Sequence, residues 1–231
     1  MTTIGLLLVL ALSSIEFDVA TVPLSSEAKI ALIPAGRVQI KREGSVSRLK
    51  VEVDQVMPPS AVGQMFNTYV VWAVSPEGDF DNLGELELNN QKGQFNATTR
   101  LTQLGILISA EPHYMVDRPS SFVVYRSQSA KDDVRRRTGR ANVGAYDYSA
   151  LKPTAAGMVH ASVIQARAAF QVAQAAGAAS LAPEDFRSAQ VAIGSMEELV
   201  TRAVPLEILW PTANEAIRWS QRAATTARSK R

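Results

Sequence analysis

Glu111, His113 and Asp117 lie within seven residues and form the one cluster in this chain whose types could bind a metal or move a proton. An imidazole between two carboxylates can hold a divalent ion or serve in acid–base chemistry. The trio follows an apolar run and is interrupted by Pro112, which places it on a loop after a strand. One histidine with two carboxylates in such a place reads more simply as a polar loop than as a site. Ser26-Glu-Ala-Lys29 has the spacing that lets a lysine activate a serine on one helical face. It sits in strand-like sequence, however, and no Ser-Asp-Asn or Lys-Thr-Gly partner accompanies it. Asn96-Ala-Thr98 is a formal glycosylation sequon. No nucleophile elbow, phosphate loop or dinucleotide fingerprint occurs. The expectation is a protein without catalytic residues, cofactor or metal.

Composition points the same way. The 231 residues contain no cysteine and two histidines, His113 and His160, so thiol chemistry, disulfides and most zinc sites lack their parts. His160 precedes a helical pattern and reads as a partly exposed surface residue. With 46% hydrophobic and 20% charged residues a folded core is expected. A net charge of +2 is too small to argue for nucleic acid.

The elements that must position these residues fall into two kinds. From Ala20 to about Ser127, short apolar runs alternate with turn residues every 8 to 14 positions, the spacing of a β-sandwich. Weaker runs at Ile30 to Ile33 and Arg37 to Lys41 open it. Leu49, Val51 and Val53 alternate with charged residues, as in a strand with one wet face. Thr68 to Val74 is apolar on both faces and reads as a central strand with Trp72 in the core. Leu83 to Leu88, a five-residue loop Asn89 to Gly93, and Gln94 to Thr98 read as a hairpin. Leu104 to Ala110 and Phe122 to Tyr125 complete seven to nine strands, an immunoglobulin-like number. Residues 128–154, with six Lys/Arg against three Asp/Glu between Gln128 and Lys152, read as a basic linker.

After the linker the period changes. Val159, Val163, Ala166, Phe170, Ala173 and Gly177 step by fours and threes, as do Phe186, Ala189, Ile193, Met196, Val200 and Ala203. These are one-faced helices with a narrow, coiled-coil-like seam. Pro183 followed by Glu184 and Asp185 marks the start of the second. A third helix follows Pro205 or Pro211, with Leu209, Ala213, Ile217, Ser220, Ala224 and Ala227 inward. The expected fold class is α+β in two parts: an Ig-like antiparallel β-sandwich over 20–127, then an Ala-rich helical hairpin or three-helix bundle over 155–231.

Two resemblances accompany these patterns. Tyr69-Val-Val-Trp72, Asn82-Leu-Gly-Glu85, Leu107-Ile-Ser-Ala-Glu-Pro112 and Arg118-Pro-Ser120 make about 68–125 resemble the extracytoplasmic C-terminal domain of anti-sigma-K factors. His113-Tyr114 stands where that family has a Gly-Gly turn, and the sigma-binding region and membrane helix have no counterpart. The likeness implies an extracytoplasmic β-sandwich. Ile164-Gln-Ala-Arg-Ala-Ala-Phe170, Ala175-Ala-Gly-Ala178 and Leu181-Ala-Pro-Glu-Asp-Phe186-Arg-Ser-Ala189 make 155–231 similar to an Ala-rich domain of unknown function in bacterial envelope lipoproteins.

Location and partners follow from the ends. Ile4 to Leu12 is nine apolar residues, far short of the ~20 that span a bilayer. With Ala11-Leu12-Ser13 behind it, 1–19 reads as a signal peptide or leader and implies export to a periplasm or envelope. A first strand of the sheet is the other reading of this run. Leu206, Ile208, Leu209 and Trp210 cluster between two prolines, and Trp219 lies off its helix seam, so both are candidate interaction residues. The expected function is a non-catalytic envelope binding or structural module. Its helical tail meets another envelope protein or a second copy, without nucleic acid or a transmembrane segment. The alternative is an extracytoplasmic regulatory or sensory domain.

Overall fold

The computed structural model describes residues 2–10, 15–21, 36–101, 103–127, 137–154 and 159–231. The expected strand run at Ile30 to Ile33 and the Ser26 to Lys29 motif lie outside them. Two compact units result. One comprises 1–62, 69–111 and 118–146, the other 63–68, 112–117 and 147–231.

The first unit is antiparallel β. Its strands are β1 Thr2–Leu10, β2 Ile15–Thr21, β3 Gly36–Glu43, β4 Val46–Val53, β5 Thr68–Val74, β6 Phe80–Glu85, β7 Glu87–Asn89, β8 Lys92–Thr99, β9 Gln103–Glu111, β10 Val123–Ser127 and β11 Arg137–Val143. A single turn of helix, α1 Pro59–Val62, follows β4. Two sandwich-like four-stranded sheets emerge, β7-β8-β4-β3 and β6-β5-β9-β10, with β2 pairing to both β3 and β10. The alternation seen in sequence sets the buried face of β4 at Ser47, Leu49, Val51 and Val53. β5 is buried at all seven positions, as its two-sided apolar pattern demands, and it lies between β6 and β9. The Trp72 ring is fully buried edge-on to Phe80, with centroids 6.0 Å apart.

Three expectations change. The hairpin around Asn89 to Gly93 has a two-residue turn: Asn90 and Gln91 sit at φ 47° and 64°, and β8 already begins at Lys92. Two successive left-handed residues match the twist of paired strands. Gly93 serves packing rather than the turn, since a Cβ there would lie 2.6 Å from Val53 Cγ2 and 2.7 Å from Leu86 Cδ2. The strand expected at Leu83 to Leu88 is divided, because β6 pairs with β5 while β7 pairs with β8. The expected linker contains β11, which pairs with β1 from Thr2↔Val143 to Leu8↔Arg137. Charge composition concealed a strand whose pairing comes from the far end of the chain. The apolar run Ile4 to Leu12, expected as a leader, falls largely within β1.

The second unit is helical: α2 Ala161–Ala175, the short α3 Ala178–Leu181, α4 Pro183–Thr201 and α5 Leu206–Ser229. His160 is exposed and caps α2, its Nδ1 accepting the Ser162 N–H at 3.2 Å. Pro183 opens α4, with Glu184 and Asp185 in its first turn. The inward residues read for α5 are all buried, from Leu209 to Ala227. α2 differs from its narrow-seam expectation: Ser162, Gln165, Ala169 and Val172 are buried as well as Val163, Ala166 and Ala173. Small side chains let it be enclosed on two faces. α4 ends in a Schellman turn, with Val204 N–H donating to Leu199 O and Ala203 N–H to Val200 O. Ala203 takes the left-handed position, φ 50°.

Candidate functional site

Glu111 ends β9 and is fully buried. Its Oε1 accepts from Ser109 Oγ at 2.5 Å and from the Ser120 N–H at 2.7 Å. Ser109 Oγ in turn accepts the Trp72 indole N–H at 2.9 Å. Ser120 Oγ donates to Ala110 O and accepts from the Phe122 N–H. The carboxylate therefore ties the core tryptophan to the 118–122 turn, a structural task within the β unit.

His113 and Asp117 belong to the helical unit. The segment 112–117 is held by side chains of several elements. Tyr114 N–H donates to Gln165 Oε1 of α2 at 2.9 Å, and its hydroxyl to Asn214 Oδ1 of α5 at 3.1 Å. Asp117 Oδ1 accepts from Gln221 Nε2 at 3.0 Å and pairs with Arg228 at 3.3 Å. Asn67 Nδ2 donates to Pro112 O at 3.0 Å. The polar loop read from sequence is a packed one: His113 is 0% exposed, and neither ring nitrogen has a hydrogen-bond partner. Burial, with the Arg228 charge adding, pushes its pKa down from 6.5 to about 3, so the ring is neutral. No signal in sequence marks this burial, because the residues that hold the 112–117 segment, Gln165, Asn214 and Gln221, lie far along the chain. Among the described residues no group of three His, Cys, Asp or Glu could hold a metal ion.

The outer face of β3, β4 and β8 forms a depression of 470 Å³ lined by Gln39, Lys41, Arg48, Lys50, Asn96 and Thr98 among others. Its cations are committed. Lys41 and Arg48 bind Glu43 at 3.3 and 2.6 Å, and Arg37 and Lys50 bind Glu52 at 2.7 and 2.8 Å. These contacts, led by Lys41 and Lys50 respectively, hold both carboxyls below their ordinary pKa. Asn96 of the sequon is exposed on this face. The arrangement is a charge-paired, solvated sheet surface.

A different surface forms at the turn between α4 and α5. Of the interaction residues read from sequence, Leu206, Ile208 and Trp210 are 43%, 53% and 53% exposed, while Leu209 turns into the helical core. That core comprises Val163, Ala166, Met196, Ala213 and Ile217 among others, and Trp219 packs half-buried against it. Ala203 and Pro205 are exposed beside the three large residues. No helix among the described residues is long and apolar enough to cross a membrane.

No known protein family matches this chain, and no curated protein does.

Proposed function

We propose that this is a non-catalytic module of the bacterial cell envelope whose helical unit makes its contacts to other envelope components. The observation that carries this reading is the exposed apolar tip, Leu206, Ile208 and Trp210, three large side chains in five residues. Water-exposed apolar patches on a folded unit mark binding surfaces. The buried acid–base residues support the non-catalytic side: Glu111 joins Trp72 and Ser120 to one frame, and His113 is shut from solvent. Export is proposed from the short apolar run at Ile4 to Leu12 and from the likeness to extracytoplasmic domains. A photo-crosslinking amino acid placed at position 208 of the full chain tests the reading in cells, with position 191 on α4 as the exposed reference. Adducts with an envelope protein, a second copy or lipid at 208 and none at 191 are expected. The absence of any adduct at 208 would sink the proposal.

A further inference from the structure

We infer that the α4–α5 tip inserts into the interfacial layer of a lipid bilayer. The inference rests on the helical unit being the interaction element and names what that element meets. Four observations choose lipid over a protein surface. First, the exposed apolar side chains surround the helix. At about 100° per residue, Leu206 and Trp210 lie within ~40° of each other while Ile208 points ~160° away. A partner docking on one side covers one set and leaves the other wet, whereas end-on immersion covers both. Second, the area is small. Three side chains about half exposed offer on the order of 300 Å², below the ~800 Å² per partner of a stable interface. A second copy is therefore poorly served by this tip.

Third, the tip is apolar from the turn onward: Ala203, Val204, Pro205, Leu206, Ile208, Trp210 and Pro211. Tryptophan beside aliphatic residues suits the headgroup boundary, where the indole ring is apolar and its N–H stays near water. Fourth, Arg202 and Glu207 are the only charged residues from Leu199 to Pro211, so the segment is neutral. Attachment is driven by apolar burial and does not require anionic lipid. Three side chains at a helix end reach only the headgroup and upper acyl boundary, so insertion is shallow.

The test is sedimentation of the full chain with phosphatidylcholine vesicles and with phosphatidylcholine/phosphatidylglycerol vesicles. Both are expected to bind it comparably, and moderate salt is expected to leave binding unchanged. Vesicles of brominated lipid should quench part of the tryptophan fluorescence of the unaltered protein, chiefly that of the 53% exposed Trp210, since Trp72 is fully buried and Trp219 half-buried. L206D/I208D should weaken partitioning roughly tenfold or more, while V191D, at a 65% exposed apolar position of α4, should not. Helical circular dichroism confirms that each variant is folded, and the quenching measurement needs no variant. Absence of vesicle binding, strict dependence on phosphatidylglycerol, or equal loss with V191D would overturn the inference. If position 208 crosslinks to a protein while vesicles stay unbound, lipid is wrong and the interaction element stands. If both experiments fail, both readings fall.

Discussion

Two side chains set the energetic character of the buried polar positions. Trp72 fills the β core and donates to Ser109, which donates to Glu111. Trp72→Ala removes the ring and breaks that chain, so a loss of about 3–5 kcal/mol is expected in denaturant unfolding. An unchanged midpoint would place the ring outside the core. His113 works the other way, through protons. Its folded pKa of about 3 lies below the unfolded 6.5, so its neutral state stabilises the fold above pH 6.5. As pH falls the unfolded chain takes up the proton first, and stability declines by about 2 kcal/mol by pH 5. His113→Phe, which keeps the bulk and removes both partnerless nitrogens, should flatten this acid limb. If wild type and variant lose stability in parallel between pH 6.5 and 5, the folded ring takes up its proton as readily as the unfolded one.

At the scale of elements, left-handed side chains occur at Gln55, in the β7–β8 turn and at the end of α4, and the last two offer tests. Ala203 occupies the left-handed position closing α4, where glycine is at ease and a Cβ is not. Ala203→Gly should stabilise the chain by about 0.5–1 kcal/mol, read as a raised melting temperature. Gln91, at φ 64° in the β7–β8 turn, stands where hairpins prefer glycine, and Gln91→Gly should gain a similar amount. A fall in stability with either change would mean that the side chain makes a contact worth more than the strain. The β7–β8 turn also shows why sequence reading misplaced a boundary. Asn89, Asn90 and Gly93 are turn-forming types that bracket two polar residues, so local propensity marked five residues, while close approach of Val53 and Leu86 drew Gly93 into a strand.

For the whole molecule, the chain order and the compact units do not coincide. Residues 63–68 and 112–117 leave the β sequence and belong to the helical unit. Tyr114 and Asp117 find their partners at Gln165, Asn214, Gln221 and Arg228, about 50 to 110 residues later. A chain ending at 146 strips them of those partners. It should melt below the full-length protein and become open to proteolysis at 112–117, and equal melting temperatures would show that these contacts are dispensable. Proposed envelope residence gives a further expectation. Fractionation of the source cells should find the chain outside the cytoplasm, and a purely cytosolic protein would end that part of the reading. Because the apolar run at Ile4 to Leu12 overlaps β1, the mass of the exported form also reports whether β11 keeps its partner.

Local pattern was enough to determine β4, β5 and the inward face of α5, because a period of two or of three to four is written along the segment itself. Ala-rich helices after a β unit, and the unpaired apolar residues at 206–210, were legible for the same reason. Tertiary structure alone decided that Arg137–Val143 is a strand, since its partner β1 lies more than a hundred residues away. It alone decided that Leu206, Ile208 and Trp210 stay about half in water. The same holds for the site that seemed most chemical in sequence. Glu111, His113 and Asp117 are polar letters on a loop until Ser120, Gln221 and Arg228 reach them. Burial depends on what covers a residue, and covering residues come from anywhere in the chain.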